Sequence, residues 1–235
     1  MSRINDDQLV VFLPVWGKHV DLMNNFMLPS LLQLGNLPSL DCEVRVELLT
    51  CGEEAEWQGW SDEATKTMYG AIPKVEVNLT VIDVERADEL LIHGLRRCIG
   101  ICRELDCRML VAMPDTVYGD ESISNAMAYA RGRDFCVGSV YLRANRSSFA
   151  VGQWPCSNAR LVDLAMRHLH NDNVMQFDMR HVNATYDGGM SIREIRRGLY
   201  TCVHHLPTVY LAYFSDEDEQ YWKDSGGWSP WDHLW

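Results

Sequence analysis

Short apolar runs that alternate with helical stretches constrain this chain more than any other feature. Leu9-Val10-Val11-Phe12-Leu13 is β-branched and aromatic and stops at Pro14, which reads as a buried strand. Lys18–Leu34 has helical apolar spacing, interrupted by Pro29 and closed by Gly35-Asn36. Val44–Leu49 is a second strand, and Val75–Ile82 alternates as a half-buried strand does. A long helix over Val84–Leu105 precedes a third apolar strand, Arg108–Met113. A helix near Ser122–Arg131, a strand over Phe135–Leu142, a helix over Ala159–His170, extended segments around Phe177–Thr185 and a strand at Thr208–Phe214 complete the reading. Strands alternating with helices of more than about ten residues predict an α/β fold with parallel strand pairs.

No repeat or linker interrupts the 235 residues, so one domain is expected. The longest nearly unbroken apolar run, Leu9–Trp16, is far short of the roughly 20 residues that cross a bilayer. The polar, acidic start Ser2-Arg3-Ile4-Asn5-Asp6-Asp7 has no signal-peptide pattern, and a cytoplasmic protein is expected. Eight cysteines are too few for a disulfide scaffold, and Cys98, Cys102 and Cys107 lack the tight pairing of structural zinc sites. Reduced, mostly buried thiols are the expectation.

The net charge of −12 is unevenly spread. All the basic residues between 131 and 200 are arginines, and that block is net positive while both flanking blocks are negative. Arginine without lysine suits planar, bidentate contact with phosphate or carboxylate.

Open α/β sheets take ligands at the carboxyl ends of their strands. Here those ends are Pro14-Val15-Trp16-Gly17, Thr50-Cys51-Gly52 and Pro114-Asp115-Thr116-Val117-Tyr118-Gly119-Asp120. No G-x-G-x-x-G follows the first strand, no P-loop occurs, and no G-x-S-x-G elbow occurs. The usual dinucleotide fold, P-loop enzymes and the usual α/β-hydrolases are thereby set aside. Asp115 and Asp120 flank a turn between a strand and a helix, where carboxylates hold a hard divalent cation together with a bound diphosphate. The alternative is that Asp120 or Ser122 caps the helix.

The runs VVFLPVWG (10–17), LPSLLQLGNLPSL (28–40) and VAMPDTVYGDESI (111–123), with LAMRHLH (164–170) and more loosely VHHLP (203–207), resemble small glycosyltransferases of the GT-A type. The resemblance implies a single-domain, Rossmann-like GT-A fold with a mixed central sheet flanked by helices. It implies that Pro14, Val15, Trp16 and Gly17, with Thr50 beside them, line the nucleotide of a nucleotide-sugar donor. It implies that Asp115 binds a divalent cation, Mn²⁺ or Mg²⁺, and that Asp120 binds the sugar or the metal. His205 or His204 resembles the late histidine that completes metal binding in some members. The strict D-x-D of that group is missing, because Asp115 and Asp120 lie five apart.

Tyr186-Asp187-Gly188-Gly189 leads into Ser191 and Glu194, which match a capping box at the start of a helix. Arg193, Arg196 and Arg197 then place a phosphate near that helix start, and Asp187 is a candidate general base for an acceptor hydroxyl. Trp222, Trp228, Trp231 and Trp235 make the tail, about residues 216–235, aromatic enough to dock on the domain. The resemblance extends to phage enzymes that glycosylate hydroxymethylated bases in DNA, so DNA modification in the host cytoplasm is one expectation. A surface polysaccharide or small glycan is the alternative acceptor. A nucleotidyltransferase and a non-catalytic nucleotide-binding module are the readings from other classes.

Overall fold

The structure, a computed structural model of the chain, describes residues 4–84, 87–133, 137–139, 156–167, 190–196, 199–204 and 208–213. Strand β1 (Gln8–Pro14) ends in six consecutive buried residues, as a strand covered on both faces must. A helical segment follows, made of α1 (His19–Leu22), a π turn (Met23–Met27) and α2 (Leu28–Leu31). Then come β2 (Glu43–Thr50), α3 (Glu54–Ala71), β3 (Val75–Val81), α4 (Ala87–Leu105), β4 (Arg108–Val111) and α5 (Ser122–Ala130). The later elements are β5 (Val137–Ser139), α6 (Asn158–Arg167), β6 (Met190–Arg196), β7 (Leu199–His204) and β8 (Thr208–Ala212).

The six strands β3-β2-β1-β4-β8-β5 form one mixed sheet in that order. β3, β2, β1 and β4 run parallel, and β8 is inserted antiparallel between β4 and β5. The α/β expectation with parallel pairs and a mixed central sheet flanked by helices is therefore met.

Alternation along the strands sends side chains to two cores. On one face Leu9, Val11, Leu13 and Leu110 pack with Met23, Met27 and Leu31, with Ala64 and Met68 of α3, and with Ile123 and Ala126 of α5. On the other, Val10, Phe12, Met109 and Val111 pack with Leu90, Leu95, Cys98, Ile99 and Cys102 of α4. Each fully buried aliphatic side chain contributes about 1.5–3 kcal/mol relative to exposure.

The amino end of the sheet is closed by a charge. Arg108 is wholly buried; its Nε lies 3.4 Å from Asp6 Oδ1, and its Nη2 donates to the carbonyls of Ala130, at 2.6 Å, and Arg133. The other Asp6 oxygen accepts from the Gly132 amide at 2.6 Å, and the Tyr213 ring centroid lies 6.0 Å from the guanidinium carbon. This fastens the N-terminal segment, the end of α5 and the end of β8 to β4.

One local expectation is overturned. Ser191 and Glu194 do not open a capped helix; they lie on β6, which pairs antiparallel with β7 from Met190↔His204 to Arg196↔Leu199. Ile192, Ile195, Thr201 and Val203 are β-branched, and only Arg197 and Gly198 separate the two strands. Those are hairpin signals, and cross-strand pairing outweighs a local cap. The thiols match expectation: Cys42, Cys98, Cys102, Cys107 and Cys156 are buried, Cys51 is half-buried, and all are free. The extended segments around 177–185 and the aromatic tail at 216–235 lie outside the described residues.

Candidate functional site

In an open parallel sheet, a crevice forms where chain order reverses, outside the carboxyl ends of the strands. Here the chain runs from β1 outward to β2 and β3, then crosses back to β4 on the opposite side of β1. The reversal lies between β1 and β4, and the segments leaving those strands are the two that the sequence marks.

Beyond β1 the chain stays on the sheet for one more residue, where the Val15 amide donates to the Leu49 carbonyl at 2.8 Å. Beyond β3 the Ile82 amide donates likewise to the Thr50 carbonyl. Pro14, Val15 and Thr50 are buried beneath this edge. Their side chains support the rim and do not form its surface. Trp16 and Gly17 do form it: Trp16 is half-buried, Gly17 is exposed, and Gly17 takes φ +48°, which turns the chain into α1. The Trp16 ring packs on the His19 imidazole at 4.4 Å between centroids.

Past β4, the Ala112 amide still donates to the Phe12 carbonyl at 2.9 Å. Asp115 comes three residues later, in a turn closed by the Thr116 amide donating to the Met113 carbonyl at 3.0 Å. Asp115 is exposed and has no hydrogen-bond or ion-pair partner among the described residues.

Asp120 is engaged differently. Its Oδ1 accepts from the Gly35 amide at 3.1 Å and from the Glu121 amide at 3.2 Å. Its carbonyl accepts from Asn158 Nδ2 at 2.8 Å. The two aspartates differ: Asp115 is exposed at the rim, and Asp120 pins the loop. Neither Asp120 nor Ser122 caps α5. The position before that helix is Glu121, in the left-handed region at φ 62°, without a side-chain capping bond.

Sequence reasoning missed what holds this loop. Asn36 is wholly buried; its Nδ2 donates to the carbonyls of Ser30 and Gly119, both at 2.9 Å, and its Oδ1 accepts from the Ile123 amide at 3.1 Å. Gln33 donates to the Tyr118 carbonyl at 3.3 Å and accepts from the Cys156 amide at 3.1 Å. Ser30 Oγ accepts from the Tyr118 amide at 3.0 Å, and Ser124 Oγ donates to the Gly35 carbonyl at 2.7 Å. The runs 28–40 and 111–123, both quoted for the family resemblance, are thus one hydrogen-bonded unit.

Three further polar atoms at this end are buried without a partner among the described residues: His19 Nδ1, Trp57 Nε1 and Ser122 Oγ. They stand at the starts of α1, α3 and α5, the helices that follow β1, β2 and β4. Buried polar groups normally find partners, so unsatisfied ones at a strand-end rim mark it as a place for a ligand.

Of the remaining predicted residues, the structure describes only the strands that carry Arg193 and His204. Arg193 is on β6, opposite Thr201, in the separate two-stranded sheet. Asp187 and His205 lie outside the described residues, and of His204 only the backbone of β7 is described. Among the described residues no group of three His, Cys, Asp or Glu side chains converges to hold a metal ion. No helix among them is long and apolar enough to cross a membrane. Compared with models of known protein families the chain matches none, and no curated protein matches it.

Proposed function

We propose that the protein is a GT-A-type glycosyltransferase that takes a sugar from a nucleoside-diphosphate sugar. One observation carries the reading. Asp115 is an exposed carboxylate with no partner among the described residues, on a firmly held loop placed where chain order reverses between β1 and β4. A carboxylate at the same carboxyl edge of the sheet as Trp16 and Gly17 suits a sugar diphosphate, with the half-buried Trp16 ring as an apolar wall for a base.

A single carboxylate does not make a resident metal site. It does fit a hard cation that arrives with a diphosphate, because phosphate oxygens and water then complete the shell. Such an ion, once bound, neutralises charge on the departing diphosphate. Asp115 would hold it, with His205 as a second ligand. Arg193 would contact the phosphates, and Asp187 would take the proton of the acceptor hydroxyl. That oxygen attacks the anomeric carbon while the bond to the diphosphate breaks. The reaction would take place in the cytoplasm.

A hydroxymethylated DNA base as acceptor would have to be extruded into the pocket. It also requires the arginines of residues 131–200 to face the duplex, since the chain as a whole carries −12. A gel shift with hydroxymethylated duplex that weakens steeply with salt supports this acceptor. No shift at low salt moves the proposal to a surface polysaccharide or small glycan.

The donor is tested by thermal shift with UDP, GDP, CMP and their sugars, each with Mn²⁺ and with EDTA. One nucleotide should stabilise the protein by about 2.7 kcal/mol at a hundredfold excess over Kd. EDTA and Asp115→Asn should each abolish that shift, while Asp115→Asn leaves the free protein's melting temperature unchanged. No shift with any nucleotide overturns the reading.

A further inference from the structure

We infer that Gln33, Gly35 and Asn36 are positioning residues for Asp115, so that the turn after α2 sets the geometry of the donor site without touching the donor. This rests on the glycosyltransferase reading of the site. Three observations carry it.

The first is how fully the amide groups are used. Asn36 is wholly buried and spends both ends of its side chain on residues 30, 119 and 123, and Gln33 spends both ends of its own on 30, 118 and 156. Burying amides costs desolvation that an apolar core residue avoids. A fully satisfied buried network gives one rigid arrangement in return. The second is where the bonds land. Gln33 and Asn36 take up the carbonyls of Tyr118 and Gly119 and the amide of Ile123, Ser30 beside them accepts from the Tyr118 amide, and the Tyr118 hydroxyl donates to the Val111 carbonyl at 3.2 Å. Asp115 sits between Ala112, which is anchored on β1, and Tyr118, so both flanks of its short turn are fixed. The third is how closely Gly35 approaches. A Cβ there would lie 2.5 Å from Asp120 Oδ1 and 2.9 Å from the Glu121 backbone nitrogen, so any side chain would push the loop away.

A carboxylate that binds through its own oxygens needs its backbone held within a fraction of an ångström, which is the part supporting residues play at metal and phosphate sites. The turn and the loop therefore act as one piece, and their motif spacing follows from their contact.

The test uses the full chain with the nucleotide identified in the thermal-shift panel. Gly35→Ala wedges the loop outward, and Gln33→Met removes hydrogen bonds at nearly constant volume. Leu34→Ala, at a neighbouring position that is 87% exposed, is the control and should change nothing. Affinity is titrated to millimolar nucleotide with Mn²⁺ and with EDTA, in the native background and together with Asp115→Asn. Gly35→Ala and Gln33→Met should each weaken Mn²⁺-dependent binding about 10–100-fold in the native background. The loss should be less than about twofold in EDTA or beside Asp115→Asn, since residues acting through one carboxylate do not add. In the same variants, amide exchange at Tyr118 and Ile123 should quicken while β1 stays protected. Equal losses with and without Mn²⁺, or undiminished binding, overturn the inference and leave the donor reading standing. A wild-type protein that binds no nucleotide overturns both.

Discussion

Trp57 keeps a buried indole N–H with no acceptor among the described residues. An unsatisfied buried donor carries a desolvation cost of about 1–3 kcal/mol that no bond returns. Trp57→Phe removes that donor while keeping a ring. The free protein should then gain about 1 kcal/mol, read as a rise of roughly 2–4 °C in melting temperature. A fall of that size would show that the indole is held by contacts that phenylalanine cannot replace. Asp115 makes the complementary point: it is exposed, acidic and without a partner among the described residues, and its sequence position after an apolar strand was enough to single it out. Ser30, Gln33 and Asn36 were not legible in that way. Ser30 and Gln33 look like ordinary polar-face residues of a helical apolar stretch and Asn36 like part of its stop signal, and their partners lie more than eighty positions away.

Among the elements, β4 depends most on a side chain at its own beginning. Arg108 starts that strand and is bonded to Asp6, Ala130 and Arg133. Arg108→Leu leaves Asp6, itself mostly buried, facing apolar atoms, and should cost about 3–5 kcal/mol in a denaturant titration. A loss under about 1 kcal/mol would mean that the clamp stabilises nothing. Strands β1, β2 and β4 were readable as short apolar runs, and β3 by its alternation. Helix α3 was not, because its buried residues are Ser61, Ala64 and Met68, two of them small, with Gly59 and Gly70 in the same stretch. A buried stripe so thin makes no visible apolar period. For β6 the local signal pointed the wrong way: the match to a capping box was real, but the β-branched residues on both sides of Arg197-Gly198 form a hairpin, and its cross-strand pairing wins.

At the scale of the whole molecule, buried thiols tie stability to alkaline pH. Burial, reinforced by Asp41, raises the Cys42 thiol from 9.0 to about 11, and burial beside Glu47 raises Cys98 further. In the unfolded chain these groups ionise near their ordinary value, so the native state holds more protons in that interval. Stability is then full below pH 9 and falls as pH rises toward 11. Denaturant titrations across that range should show the decline, and Cys42→Ser should reduce it. Stability that is flat to pH 11 would count against the buried thiols as its source.

The antiparallel insertion of β8 has a consequence in time. It completes the sheet between β4 and β5, yet ninety-six residues separate the end of β4 from the start of β8. At roughly 5–20 residues per second, a ribosome needs about 5–20 s to deliver that partner. For that interval the growing chain carries a finished parallel half-sheet whose β4 edge is bare, and a bare edge is a template for a neighbouring chain. A strand made late is the one that shields the oldest part of the fold from its neighbours on the polysome.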